Sequence, residues 1–150
     1  MARVRVPVPV RWSDLDAYGH VNNAAMLTLL EEARIATFWT NGQVASGTNV
    51  LAGGPEASSY TLVARQEIEY LAPLGHSHEP VMVELWIGRI GGASLEVCYE
   101  LLSPGGAVAA KAATSIVMVD AATGQPRRLS DEERAALAPL VEDPIEFRRR

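Results

Sequence analysis

The sequence predicts an α+β protein in which one antiparallel sheet curls around a single long, mostly buried helix. Three observations lead there. One long segment of helical period follows an opening strand pattern, four strand-like runs then succeed one another with no helix between them, and their separators are rich in Gly and Pro. Strands joined by short turns pair antiparallel, and a sheet with one apolar face buries that face against the helix. Alternating βα units are absent, which weighs against Rossmann-like and TIM-barrel folds.

The first element is residues 4–12, where Val4, Val6, Val8, Val10 and Trp12 share one face and Arg5, Pro7, Pro9 and Arg11 the other. Pro7 and Pro9 cannot donate to a ladder, so this strand belongs at a sheet edge or pairs irregularly. From Asn22 to about Trp39, Ala25, Met26, Leu29, Leu30, Ala33, Ala36 and Trp39 recur at helical spacing, opposite Thr28, Glu31, Glu32 and Arg34. This predicts a helix of about five turns, roughly 27 Å long. Leu27, Ile35 and Phe38 widen its apolar arc, so burial on most sides is expected. Asn41-Gly42 supplies a left-handed stop, and residues 43–59 read as a long loop in which Val50-Leu51 dips toward a pocket.

The later strands centre on Tyr60 to Tyr70, Val81 to Ile87, Leu95 to Leu101 and Ala107 to Val119, separated by Pro73-Leu74-Gly75, Gly91-Gly92 and Ser103-Pro104-Gly105-Gly106. Ser130-Asp131-Glu132-Glu133 forms a capping-box pattern opening a short helix that Pro139 or Pro144 ends. No repeat or interior linker divides the chain, so residues 1–150 read as one domain, with a core at about 4–120 and a C-terminal extension at 121–150.

Composition bounds the function. The chain has 150 residues, 48% apolar and 21% charged, which is globular rather than disordered. No apolar run approaches the roughly 18 residues of a membrane span. The net charge of −5 argues against general nucleic-acid binding, which needs a basic face. Arg148-Arg149-Arg150 reads as a solvated tail or a local anion contact. Cys98 is the single cysteine and can form no internal disulfide. Residues 1–5 lead into a strand pattern rather than a signal peptide's apolar block, so a cytoplasmic protein is expected.

The informative stretch is residues 11–23, where Asp14, Asp16, Gly19, His20, Asn22 and Asn23 crowd between the first strand and the long helix. A carboxylate before a helix start has two readings. It caps orphan N–H groups, or it acts as base or nucleophile beside an oxyanion site made by those groups. His20 reads either as a structural ring fixing the loop or as a general base. His76 and His78 share a turn with Glu79 but lack a compact fourth metal ligand.

The run Asp14-x-Asp16-x-x-Gly19-His20-Val21-Asn22-Asn23, followed by Glu31-Glu32-Ala33-Arg34, resembles the opening of the hotdog-fold acyl-CoA thioesterases of the 4-hydroxybenzoyl-CoA thioesterase type. Residues 67–74 resemble that family's second strand and turn, and residues 88–94 its next hairpin. The resemblance implies a hotdog fold, a five-stranded antiparallel sheet wrapped around one central helix in the order β-α-β-β-β-β, here with a short C-terminal helix. It implies hydrolysis of an acyl-CoA or acyl carrier protein thioester to free acid and thiol, with no cofactor or metal. By position, Asp16 is the catalytic carboxylate and the backbone N–H near Asn23 polarises the carbonyl. Gly19 allows close backbone approach, while His20, Val21 and Asn22 line or brace the site. The family's site lies at a dimer interface, so a homodimer or a dimer of dimers is implied, with Ser94 facing Asp16 from the partner's sheet. The match departs at Tyr18 and near Met26.

Thioester hydrolysis suits these residues because a thiolate leaves without a strong general acid. Asp16 either attacks the carbonyl or takes a proton from water. Glu31 and Glu32 fit ion pairing with Arg34 better than catalysis. Arg65, Arg89, Lys111, Arg127 and Arg128 are candidates for phosphate contacts. The rivals are a non-catalytic acyl-CoA-binding hotdog module and a hotdog hydratase or dehydratase, whose His–Asp pattern on the helix is not seen here. A haloacid-dehalogenase-like phosphatase fails because Tyr18 stands where its motif carries Thr or Val.

Overall fold

The computed structural model describes residues 3–39, 58–76 and 78–148. The elements follow the expected order: β1 (Val4–Val8), α1 (Asn23–Phe38), β2 (Ser59–Tyr70), β3 (Val81–Ile90), β4 (Ser94–Leu102), β5 (Val108–Asp120) and α2 (Asp131–Leu137). All pairings in the sheet are antiparallel, in the order β1-β3-β4-β5-β2. This is the hotdog arrangement, with α1 lying against the sheet's inner face.

Pro7 sits opposite Met82 on a strand paired on one side only, the edge position that a missing N–H demands. The strand is shorter than its alternation suggested. After Val8 the chain leaves the ladder, and Trp12–Asp14 forms a 3-10 turn. Trp12 is therefore not on the buried face; it is 77% exposed.

Asn22 caps α1, its side-chain oxygen accepting from Ala24 N–H at 2.8 Å. The helix is 16 residues, about 24 Å. It buries Met26, Leu29, Leu30, Ala33 and Phe38 in the core, packing chiefly against β1 and β3. Burial on most sides does not hold, because Ile35 is 42% exposed and Thr28, Glu31 and Glu32 also face outward. Arg34 departs from its expected polar strip. It is buried, donating to Tyr99 Oη at 3.0 Å, with Glu31 at 3.7 Å as its ion-pair partner. A long aliphatic stem allows this when a polar group waits at the far end. The expected Asn41-Gly42 stop, most of the 43–59 loop and the Val50-Leu51 pair lie outside the described residues.

The inner faces of β3 and β4 supply Val83, Leu85, Ile87, Val97, Tyr99 and Leu101, none of them solvent-accessible. Each aliphatic side chain so buried contributes about 1.5–3 kcal/mol. β2 behaves differently: Tyr60, Leu62, Val63 and Tyr70 are each more than 40% exposed on this unpaired edge. A bulge between Val63 and Arg65 resets its alternation.

Residues 121–140 bring Leu129, Leu137 and Leu140 into the core, and the segment after them crosses the outer face of the sheet at Trp86. The capping box of α2 is complete, with Glu133 N–H donating to Ser130 Oγ at 3.1 Å and Ser130 N–H to Glu133 Oε1 at 2.8 Å. Pro139 lies in the 3-10 turn Ala138–Leu140 that ends it. Beyond that turn the chain crosses β3, where Glu142 N–H donates to Ile87 O and Trp86 Nε1–H to Asp143 O, both at 2.9 Å. Farther on, Arg148 N–H reaches Glu69 on β2. Arg3 lies 3.8 Å above the Trp86 ring and pairs with Glu84, Glu100 and Glu142.

Candidate active site

The loop between β1 and α1 is held rigidly by two aspartates with different partners. Asp14 is buried and receives the Arg11 guanidinium at 3.0 Å and Arg11 N–H at 2.8 Å, contacts that hold its carboxyl below the usual carboxylate range. Its carbonyl accepts from Asn22 N–H at 2.7 Å, tying the loop to the helix cap. Asp14 therefore positions the loop.

Asp16 stands at the other end of this tight turn, half-buried. Asp16 Oδ1 accepts from Tyr18 N–H at 2.8 Å and from His20 N–H at 3.1 Å, while Asp16 N–H donates to His20 O at 2.8 Å. The second carboxylate oxygen has no hydrogen bond among the described residues. Gly19 makes the turn possible, with φ at +75°. A Cβ added there would meet nothing within 4 Å. Its role is thus conformational rather than the close backbone approach expected.

Asp16, His20, Val21, Asn23 and Met26 line one groove of about 480 Å³, closed on its far side by Tyr70, Leu71, Ala72 and Pro73. Two anchors hold its walls together. Val21 N–H donates to Leu74 O at 2.7 Å, and Tyr70 Oη–H donates to Asn23 O at 2.8 Å. Partial burial pushes the Tyr70 phenol up. Asn23 is the first residue of α1, and among the described residues its N–H has no acceptor, whereas Ala24 N–H is taken by Asn22. A free amide at a helix start beside a half-free carboxylate can place a carbonyl oxygen on the donor and its carbon near the carboxylate.

Asn22 braces the site as a cap and does not line the groove. Ser94 is separate within one chain. It pairs with Val117, seven residues along β5 from the Ala110 that faces Tyr70, about 23 Å away at 3.3 Å per residue. The residue overlooked in the sequence is Tyr70, although it lay within the 67–74 segment that carried part of the resemblance.

Arg127 is not a free phosphate ligand: it holds Glu133 through two nitrogens at 2.9 Å and Ser59 Oγ at 2.7 Å. Arg65 stands 3.9 Å from Glu67, and Lys111 is flanked in the ladder by Glu69 and Glu100. His76 stacks on Trp12, and His78 meets His76 edge-on. Among the described residues no three His, Cys, Asp or Glu side chains converge as a metal site, and no helix is long and apolar enough to cross a membrane.

Residues 10–137 match the family model of the thioesterase-like superfamily. A thioesterase of Thermus thermophilus, complexed with coenzyme A and Zn, is 32% identical, superposes with a TM-score of 0.70, and the match covers 91% of this chain and 92% of that one. The PA2801 protein of Pseudomonas aeruginosa is 31% identical with a TM-score of 0.69, covering 89% of this chain and 95% of that one. The uncharacterized protein YsmA of Bacillus subtilis (strain 168) is 26% identical over 130 residues, 87% of this chain and 82% of its own length.

Proposed function

This chain belongs to the thioesterase-like superfamily, and on that premise we propose that it hydrolyses an acyl-CoA thioester in the groove between Asp16 and the start of α1. The observation that carries the proposal is the convergence of a half-free carboxylate, Asp16, with the acceptor-free N–H of Asn23 on one groove. The Asn23 amide takes the carbonyl oxygen and stabilises the negative charge that develops on it. Asp16, through the oxygen that the turn leaves open, removes a proton from water as that water bonds to the carbonyl carbon; direct attack by the same oxygen is the alternative route. The C–S bond then breaks and CoA leaves as thiolate. Val21, Met26 and Tyr70 supply the walls for the acyl group, and His20 flanks the mouth.

The end of β2 walls the groove through Tyr70, and the rest of that long edge exposes Tyr60, Leu62 and Val63. An unpaired edge with aliphatic side chains pairs with another strand, and we infer a homodimer in which two β2 strands lie antiparallel about a two-fold axis. That pairing brings the Ser94 end of one sheet toward the Asp16 groove of the other. Sedimentation of the wild type and of Leu62→Lys tests it: a dimer that the lysine dissociates supports the pairing, and a wild-type monomer refutes it.

One observation favours a second reading, a non-catalytic acyl-CoA-binding module. Asp16 Oδ1 is occupied by two backbone N–H groups, which is also what a purely structural turn residue does. A panel of acyl-CoA thioesters from short to aromatic, with thiol release as the readout, separates the two. Cleavage of any member supports hydrolysis. Binding without cleavage across the panel supports the module.

A further inference from the structure

Trp12 is anomalous for a tryptophan: 77% exposed, it lies flat on His76 with ring centroids 4.6 Å apart and planes 14° from parallel. His78 buttresses His76 edge-on at 6.2 Å. Large aromatic surfaces left in water are uncommon unless something covers them. This one is tied to the site by a short chain of contacts. His20, whose N–H is bonded to Asp16, pairs through its backbone with Gly75, the residue before His76. The stack therefore joins the loop that carries Asp16 to the segment paired with His20, which lines the groove.

Resting on the acyl-CoA reading above, we propose that the outer face of Trp12, backed by His76, is the stacking platform for the adenine ring of the CoA nucleotide. An open indole face with a second ring holding it from behind offers a planar, preorganised surface, and any purine stacks on such a surface without needing hydrogen-bond readout. The acyl group does not compete for it, because the groove that receives the thioester is lined by Val21, Met26 and Tyr70 instead. A carrier protein is the less suitable occupant. Carrier-bound thioesters present no purine, and Arg11, the neighbouring cation, is already paired with buried Asp14.

The test compares two thioesters of the same acyl group, one on CoA and one on N-acetylcysteamine, which lacks the nucleotide. Trp12→Ala is expected to raise KM for the CoA ester about tenfold, or about 1.4 kcal/mol, with kcat unchanged and the N-acetylcysteamine ester unaffected. Trp12→Phe keeps an aromatic face and should recover most of the loss. A titration with 3′,5′-ADP should quench tryptophan fluorescence in the wild type and not in Trp12→Ala. Equal losses on both esters would make Trp12 a loop-positioning residue and overturn the platform. If no thioester is cleaved, the hydrolysis reading fails, and the nucleotide titration still decides the platform by itself.

Discussion

Replacing Asp16 by Asn separates the proposed chemistry from architecture, because one oxygen of that carboxylate holds the turn and the other is the one assigned to the reaction above. Oδ1 is committed to Tyr18 N–H and His20 N–H, and an amide oxygen accepts both of those bonds in the same place. The change converts two charge-assisted bonds into neutral ones. With charged bonds at about 1.5–3 kcal/mol and neutral ones at about 0.5–1.5, and with the site half exposed so that the lower values apply, each bond weakens by about 1 kcal/mol and Asp16→Asn should cost about 2 kcal/mol of stability. The oxygen that remains becomes NH2, which neither attacks a carbonyl nor takes a proton. A positioned base contributes about 10²–10⁴-fold, so turnover should fall by about that factor while the protein stays folded. Asp16→Ala is the control. It also loses both turn bonds and should cost about 3 kcal/mol, with a larger loss of order in residues 16–20. Thiol release from the best acyl-CoA of the panel reads the rate, and urea unfolding followed by circular dichroism reads the stability. Turnover by Asp16→Asn within about fivefold of wild type would refute the assignment, leaving Asp16 as a turn residue and moving the chemistry elsewhere.

Gly19→Ala forces a Cβ onto a left-handed backbone and should cost about 1–2 kcal/mol, with turnover falling further than stability because Asp16 shares the turn; activity and urea midpoints measured together check this. Glu133, held to a pKa of about 2 by the Arg127 fork, has a folded-state value below its unfolded one. Its stabilisation is therefore present above about pH 4.5 and lost as pH falls toward 2. The stability gap between wild type and Glu133→Gln should accordingly hold from neutral pH to about pH 5 and close below, as thermal melts across pH would show. Burial pushes the Cys98 thiol up to about 11, so it should resist thiol reagents at pH 8 in the folded protein. A Cβ at Gly88 would meet Cys98 Sγ at 2.8 Å and Pro144 Cα at 3.0 Å; Gly88→Ala should therefore lift the C-terminal segment, cost about 1–3 kcal/mol and speed Cys98 labelling.

What the sequence disclosed depended on whether a residue's partners were near it in the chain. The order of elements, the Asn22 boundary of α1 and the Ser130–Glu133 capping box are local patterns with periods of two, 3.6 or three residues, and all stand in the structure. Trp12 misled because alternation continued through it while the backbone, past Pro9, had already left the ladder. Arg34 misled because its partner, Tyr99, is 65 residues away, and helical spacing alone gives a long cation the polar face. The strap formed by Glu142, Asp143 and Arg148 across the outer sheet had no signal at all, since it binds largely through backbone groups that every sequence possesses. The same division runs through the site. Asp16, Gly19 and His20 are joined to one another by contacts at most four residues apart, and Asn22 caps Ala24 two residues on, so these could be read locally; Tyr70 reaches Asn23 across 47 residues and could not.

The same division governs how much of the chain closes on itself. β2 alternates as well as β3 does, yet β3 is buried between two neighbours while β2 leaves Tyr60, Leu62, Val63 and Tyr70 in water. Periodicity reports that a strand has an apolar face, and topology decides what covers it. Among the described residues, α1 packs chiefly over β1 and β3, while the end of β2 walls the groove that holds Asp16. The homodimer proposed above would add a wall from a second copy beside that strand. Loss of the β2 pairing should therefore reduce activity even where Asp16 and Asn23 are untouched, and Leu62→Lys, assayed above and below the concentration at which it dissociates, distinguishes a wall contributed by a second copy from a groove that is sufficient alone.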